Sequence, residues 1–431
     1  MAVGSWIRTN IVTVMVVGPL LGMLAALLLL NFVLPEKRIE HSLTHSHGLD
    51  DPQFRREMGI LLGPPILDGN SAVNLENGDS IFPAMLAEIR KAQRSVTFET
   101  YIYWSGEVGR QFSEALSERA MSGVKVHVLL DWLGSQKIEQ QAVDSMKKAG
   151  VEVEMFHPLH WYHLSRMNNR THRKLLVVDG QVGFTGGVGI ADLWSGHAED
   201  PQHWRDSHYR VSGPVVAQMQ AAFMDNWIKT TGKVLQGEAY FPALPATGTS
   251  AAQVFTSSPQ GGADSMVLMY LMAIVASQRT IDLSAAYFVP DGLTLKALVE
   301  AMRRGVRLRI ITPGPHIDAE VVQAASRASW DELLAEGAQI YEYQPTMFHC
   351  KTFIVDGLLV SVGSTNFDSR SFQLNDEANL NVLDGAFARE LTSVFEGDIR
   401  RAKRITLEAW RDRPWHARIT ERAVALLSSQ L

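Results

Sequence analysis

The sequence predicts an α/β fold of two similar lobes, each a mixed sheet flanked by helices, with an active site between them and an N-terminal transmembrane helix ahead of them. Three observations carry that reading: a charge-free apolar stretch near the start, an alternation of strand-like and helix-like segments from about residue 95, and the return of that alternation in the second half. The 431 residues exceed one domain of about 150, and 46% hydrophobic with 20% charged residues are the proportions of a folded globular chain. The lone cysteine, Cys350, excludes an intramolecular disulfide and a multi-thiolate zinc site. A net charge of −6 gives no global field that would draw nucleic acid.

The elements follow in order. Thr9 to Pro35 are 27 residues without Lys, Arg, Asp or Glu. A helix of that length, at about 1.5 Å per residue, exceeds a hydrocarbon core of roughly 30 Å. No small-x-small cleavage site follows at Asn31 to Pro35, so the stretch reads as an uncleaved anchor. Lys37, Arg38, Arg55 and Arg56 behind it favour a cytoplasmic body. Ser95–Trp104 reads as a strand, Glu107–Met121 as an amphipathic helix, Val124–Trp132 as a strand, Ile138–Ala149 as a helix and Val151–Phe156 as a strand. Arg173–Val178 and Gln181–Gly186 flank Asp179-Gly180, a hairpin signal. The series then recurs: Thr280–Phe288, Val306–Thr312 and Gln339–Tyr343 as strands, Leu293–Arg304 and Ala319–Glu336 as helices. Lys351–Val355 and Leu358–Gly363 close it around Asp356-Gly357. Thr230–Asp264 has the Gly, Pro, Ser and Thr content of a linker, and Ala386–Leu431 reads as solvated helix with its most basic part at Arg400 to Arg404. The chain thus divides into an anchor and linker, 1–45, a first lobe, 46–245, and a second lobe, 246–431.

The most similar part of the repeat is polar. His172-Arg173-Lys174, four apolar residues, Asp179 and then Gly186-Gly187-Val188-Gly189 match His349-Cys350-Lys351, four residues, Asp356 and Gly363-Ser364-Thr365-Asn366. Both copies are H-x-K-x4-D-x6-G-[GS]-x-[GN], and so many shared offsets are not a coincidence of composition. On an extended chain His172 and Lys174 share a face, as do His349 and Lys351. Asp179 and Asp356 have the other parity and sit at the turn, suited to tying the hairpin. An imidazole beside an ammonium can attack phosphorus while the cation holds a nonbridging oxygen. A second histidine from the opposite half can protonate the leaving alkoxide. The lysines, Ser364 and Asn366 can stabilise the growing charge without a metal. The groups His157, His160, His163 and His41, His45, His47 lack a placed carboxylate and read as loop histidines, so no metal or other cofactor is expected.

This pattern resembles the phospholipase D superfamily over about residues 70 to 400. The resemblance implies phospholipase D-like lobes, a catalytic set of His172, Lys174, Asp179, His349, Lys351 and Asp356, and a covalent phosphohistidine, with His172 as nucleophile and His349 as acid and then base. It also implies a carboxylate that fixes the ring of each histidine: Glu377 on the second side, with Asp376 as competitor, and Asp206 on the first. Gly189 departs from the asparagine usual in the motif, which puts a polar phosphate contact of the first copy in doubt. The surroundings, from Asn169-Arg170-Thr171 to Ser369-Arg370-Ser371-Phe372 and Leu374-Asn375-Asp376-Glu377, are most similar to bacterial cardiolipin synthases. That resemblance implies transfer of a phosphatidyl group between two phosphatidylglycerols at the bacterial cell membrane. Arg166, Arg170 and Arg173 stand where they can attract an anionic headgroup. The residues leave open a phospholipase, a transferase with another donor or acceptor, a nuclease, which the acidic balance and the anchor disfavour, and a lipid-binding protein without activity.

Overall fold

The computed structural model describes residues 11–29, 39–45, 47–158, 169–259 and 264–414, together with 421 and 424. In the first half the strands are β1 (Leu67–Glu76), β2 (Ser95–Thr100), β3 (Lys125–Asp131), β4 (Glu152–Phe156), β5 (Leu175–Val178), β6 (Val182–Gly186) and β7 (Ser207–Ser212). The second half contributes β8 (Ser250–Ser257), β9 (Thr280–Ala285), β10 (Phe288–Val289), β11 (Arg307–Pro313), β12 (Gln339–Tyr343), β13 (Lys351–Val355), β14 (Leu359–Gly363), β15 (Phe367–Asp368), β16 (Glu377–Leu383) and β17 (Ala402–Ile405). Fifteen of these form one sheet in the order β17-β12-β11-β9-β13-β14-β16-β8-β1-β7-β6-β5-β2-β3-β4, and β10 pairs with β15 apart from it. Outward from the antiparallel β1–β8 seam the two halves have the same order over seven strands, with β17 added at the outer edge of the second, so the duplication is written into the sheet.

Each half is mixed for a local reason. Helix Glu107–Met121 carries β2 to β3 and helix Gln140–Lys148 carries β3 to β4, crossovers that leave these strands parallel. Tight turns make the β5–β6 and β13–β14 pairs antiparallel. Asp179 and Gly180 have φ of 53° and 65°, and Asp356 and Gly357 have 54° and 65°, the left-handed pair that a two-residue hairpin needs. β5 is buried on every residue, which is why its sequence is a continuous Leu-Leu-Val-Val run rather than an alternation. Leu175, Val177, Tyr209 and Val211 of the first half share one core with Ile354, Val360, Val362 and Leu380 of the second. That shared core fixes how the two motifs face each other.

Several elements differ from the expectation. The supposed linker contains β8, whose Ser-Ala-Ala-Gln-Val-Phe-Thr-Ser residues are small enough to lie buried between β1 and β16. The basic stretch after Ile399 is the edge strand β17, not helix; Lys403 and Arg404 on an edge discourage further pairing. The helix expected over Ala319–Glu336 breaks into Glu320–Ala328 and Trp330–Ala335. The expected strand from Ser95 stops at Thr100, and the one expected from Arg173 begins at Leu175.

The expected anchor is described only in part. Ile11–Leu29 is a helix of 19 residues with Met15, Leu20, Leu21 and Met23 exposed. At about 1.5 Å per residue it falls just short of a core of roughly 30 Å. Among the described residues no helix is long and apolar enough to cross a membrane. The remainder of the Thr9–Pro35 stretch lies outside the described residues.

Candidate active site

His172 sits three residues ahead of β5 and His349 two ahead of β13, each on an extended segment stitched to the opposite half. The His172 backbone N–H donates to the Asp376 carbonyl at 2.9 Å, and the Asp376 N–H to the Arg170 carbonyl at 2.8 Å. In the same way the His349 N–H donates to the Arg205 carbonyl at 2.8 Å, and the Arg205 N–H to the Met347 carbonyl at 2.9 Å. These crossings deliver the acids. Glu377, the first residue of β16, accepts the Nδ1 proton of His172 at 2.9 and 3.1 Å. Asp206, just before β7, accepts that of His349 at 2.7 Å. Each carboxylate therefore serves the histidine of the other half, whereas the sequence reading set it beside the histidine of its own. Asp376 does not compete, since its carboxylate faces Lys229 at 3.1 Å and Arg173 at 3.6 Å.

Both carboxylates are fully buried, and neighbouring donors stabilise their charge. Glu377 also receives the Ser364 hydroxyl at 2.5 Å and the Asn375 amide at 3.4 Å. Burial works to raise its pKa, yet His172, then Lys174 and Ser364, hold it below the ordinary carboxylate value. Asp206 receives the Trp194 indole N–H at 3.0 Å and the Ser207 N–H at 2.8 Å. Burial opposes its charge too, and His349 and Lys351 outweigh that. Ser364 is thus spent on Glu377 and does not line the cavity, contrary to its expected phosphate contact; Asn366 does line it.

The lysines fold back identically. Lys174 Nζ donates to the His172 carbonyl at 2.7 Å and Lys351 Nζ to the His349 carbonyl at 2.8 Å, with the Lys351 ammonium 3.2 Å from each His349 ring nitrogen. Burial pushes His172 down to about 4, with Glu377 opposing and Lys174 adding to the shift. Burial and Lys351 lower His349 as well. Near neutral pH both rings are therefore uncharged, with the Nδ1–H donated to a carboxylate and the Nε2 lone pair available. Burial and repulsion from Lys351 bring Lys174 down to about 7. If His172 must be unprotonated to attack, kcat/KM is accordingly expected to fall as pH drops through about 4, where His172 takes a proton; a profile flat through that range would assign the attack to another group.

His172, Lys174, His349 and Asn366 open into a cavity of about 350 Å³. Around His349 its wall is aromatic: Trp194 and Trp204 lie 5.5 and 5.4 Å from the imidazole, centroid to centroid. Around His172 it is Tyr101, at 5.3 Å, with Arg170 and Arg370. Trp194 carried no sequence signal, lying on a short 3-10 turn (Asp192–Trp194) outside either motif. It also explains Gly189. A Cβ there would stand 2.9 Å from Ile102 Cβ and 3.0 and 3.1 Å from Trp194 ring carbons. The place of an asparagine side chain is taken by the indole that holds Asp206. Gly189→Asn should therefore destabilise the protein by about 1–3 kcal/mol through overpacking, read as a lower urea midpoint at constant slope.

Asp179 and Asp356 stand apart from the cavity. The Asp179 carboxylate accepts the N–H groups of Gln93, Arg94 and Ser95, and that of Asp356 those of Gln278, Arg279 and Thr280. They tie each hairpin to the start of β2 or β9 and touch no reacting group. Arg173 turns inward to Asp225 and Asp376 and so is not a headgroup contact, and Arg166 lies outside the described residues, as do His160 and His163.

A family model described as cardiolipin synthase, PLD-like domain, matches residues 85–196 and 270–399. A cardiolipin synthase of Geobacillus kaustophilus (strain HTA426) is 36% identical over 383 residues, 88% of this chain and 76% of its own. Cardiolipin synthase A of Pseudomonas fluorescens (strain SBW25) is 34% identical over 358 residues, 83% and 74% of the two chains. The crystal structure of phosphatidylserine synthase from Haemophilus influenzae Rd KW20 superposes with a TM-score of 0.67 at 12% identity, over 88% of this chain and 100% of that one, a likeness of fold.

Proposed function

The chain belongs to the cardiolipin synthase family of phospholipase D-like phosphatidyltransferases, and we propose that it joins two phosphatidylglycerols into cardiolipin with release of glycerol. The observation that carries the chemistry is the pair of neutral imidazoles, each fixed by a carboxylate, that open into one cavity. His172 Nε2 attacks the donor phosphorus; a P–N bond forms, the P–O bond to the glycerol headgroup breaks, and His349 gives that oxygen its proton. A glycerol hydroxyl of the second phosphatidylglycerol then loses its proton to His349 and attacks phosphorus, and the P–N bond breaks. Lys174, Lys351 and Asn366 stabilise the charge on the nonbridging oxygens. The negative charge of the bound diester raises the His349 pKa, which lets it act as acid although it rests neutral.

The charge-free stretch Thr9 to Pro35 supports a membrane anchor that keeps this site at a bacterial cell membrane, with the body on the cytoplasmic side. The test is mass spectrometry of phosphatidylglycerol vesicles incubated with the full-length protein without divalent metal. Cardiolipin and glycerol are expected. Phosphatidic acid in their place would make water the acceptor and overturn the transferase assignment.

A further inference from the structure

The two ends of the cavity are unlike. At the His172 end the lining is polar: Tyr101 faces the imidazole at 5.3 Å, and Asn375 donates to Glu377 at 3.4 Å. Asn366 belongs to the same end, two residues after the serine whose hydroxyl donates to Glu377. At the His349 end the lining is indole and hydrocarbon. Trp194 and Trp204 lie 5.5 and 5.4 Å from the imidazole and 4.8 Å from each other, and Ile102 extends this wall beside Trp194. Hydrogen bonds hold the wall from behind. The Trp194 indole N–H donates to Asp206 at 3.0 Å, the Trp204 backbone N–H to the Leu193 carbonyl at 2.7 Å, and the Ile190 N–H to the Ile102 carbonyl at 2.9 Å.

The difference goes back to one residue. The second copy of the motif carries Asn366 where the first has Gly189, and the Trp194 ring stands against that glycine. An amide is thereby missing from the His349 end and an indole admitted to it. In the proposed mechanism this is where the acceptor stands, because His349 takes its proton. The acceptor's O–H bond breaks toward His349, its oxygen bonds to phosphorus, and the P–N bond breaks; hydrolysis differs only in the oxygen that arrives. A water held inside a protein makes about three hydrogen bonds to polar groups. Here it would give one to His349 and meet aromatic and aliphatic carbon beside it. An alcohol gives the same hydrogen bond and lays its carbons on the wall, each carbon favouring it by on the order of four-fold. The geometry points to an acceptor subsite, walled by Trp194, Trp204 and Ile102, that packs the carbon face of a three-carbon polyol and keeps water from the phosphohistidine. This rests on the transferase reading and adds to it what decides between transfer and hydrolysis.

The test reads how one intermediate divides between water and alcohol. Full-length wild type, Trp204→Ala and Trp204→Phe are incubated with phosphatidylglycerol vesicles, and phosphatidic acid and cardiolipin are measured in the same reaction. Trp204 is the side chain to change, because it is half-buried and Trp194 also holds Asp206. The ratio of phosphatidic acid to cardiolipin should rise about 10- to 60-fold in Trp204→Ala, the effect of two or three carbons left without a wall. In Trp204→Phe it should stay near the wild-type value. A second measurement needs no variant: methanol, ethanol and 1-propanol at equal concentration compete with water in wild type. The alcohol's share should grow on the order of four-fold per carbon. An unchanged ratio in Trp204→Ala, whether both products fall together or neither does, overturns the subsite. Should that variant make no product, a wild-type share that does not grow with carbon number overturns it instead. Wild type that yields phosphatidic acid and no cardiolipin would remove the transferase reading, and the subsite with it.

Discussion

His172→Ala and His349→Ala should each reduce cardiolipin formation by about 10⁴-fold or more, with the fold retained. In the proposed mechanism the first removes the atom that bonds to phosphorus. The second removes the proton from the leaving glycerol and the base for the incoming one, and general acid–base catalysis alone contributes about 10²–10⁴ to each such step. The two substitutions act on one chemical sequence, so the double variant should be little worse than the weaker single. Stability is expected to hold because neither acid is orphaned: without His172, Glu377 keeps Ser364 and Asn375, and without His349, Asp206 keeps Trp194 and the Ser207 N–H. The remaining cost, about 1–3 kcal/mol for a lost buried partner, is less than the 5–15 kcal/mol typical of folded domains. The measurement is product formation together with acid quenching of a reaction with phosphorus-labelled lipid. Wild type and His349→Ala should yield acid-labile labelled protein, and His172→Ala should not. Label retained by His172→Ala and lost from His349→Ala would exchange the two roles.

The two histidines of the candidate site were legible because their motifs recur at fixed offsets, and a repeat of polar residues has no packing explanation. The two lobes were legible from the alternation of elements for a similar reason: β5 and β13 are apolar enough to read without tertiary context. What could not be read depends on packing across the seam. β8 and β16 lie in the middle of the sheet, yet their sequences, Ser-Ala-Ala-Gln-Val-Phe-Thr-Ser and Glu-Ala-Asn-Leu-Asn-Val-Leu, are small or polar. Burial there rests on side-chain pairs such as Asn379 with Ser361 and Asn381 with Gln253, which no window of sequence contains. Trp194 illustrates the same limit: its value comes from an empty Cβ position at Gly189 and a carboxylate twelve residues on. A missing side chain advertises nothing.

The crossed pairing of acid and base is the point at which the structure says most that the sequence did not, and it makes an expectation of its own. Glu377→Gln should lower kcat by about 10²–10⁴, and it should do so through His172, although Glu377 lies downstream of the other motif. The amide oxygen can still accept the Nδ1 proton, so the ring stays in place. What is lost is the charge that stabilises the imidazole as phosphorus chemistry draws electrons from it. An anion favours the protonated ring, so its removal drives the His172 pKa further below about 4. The acidic limb of kcat/KM then moves to lower pH. Asp206→Asn should cost a similar factor while leaving that limb where it is, because its partner is His349. Nitrogen NMR of the two histidine rings gives the direct reading: Glu377→Gln shifts the His172 resonances and spares His349, and Asp206→Asn does the reverse. Were Glu377→Gln to perturb His349 instead, each half would be supplying its own acid, and the two lobes would have to meet in a different register from the one that β1 and β8 establish.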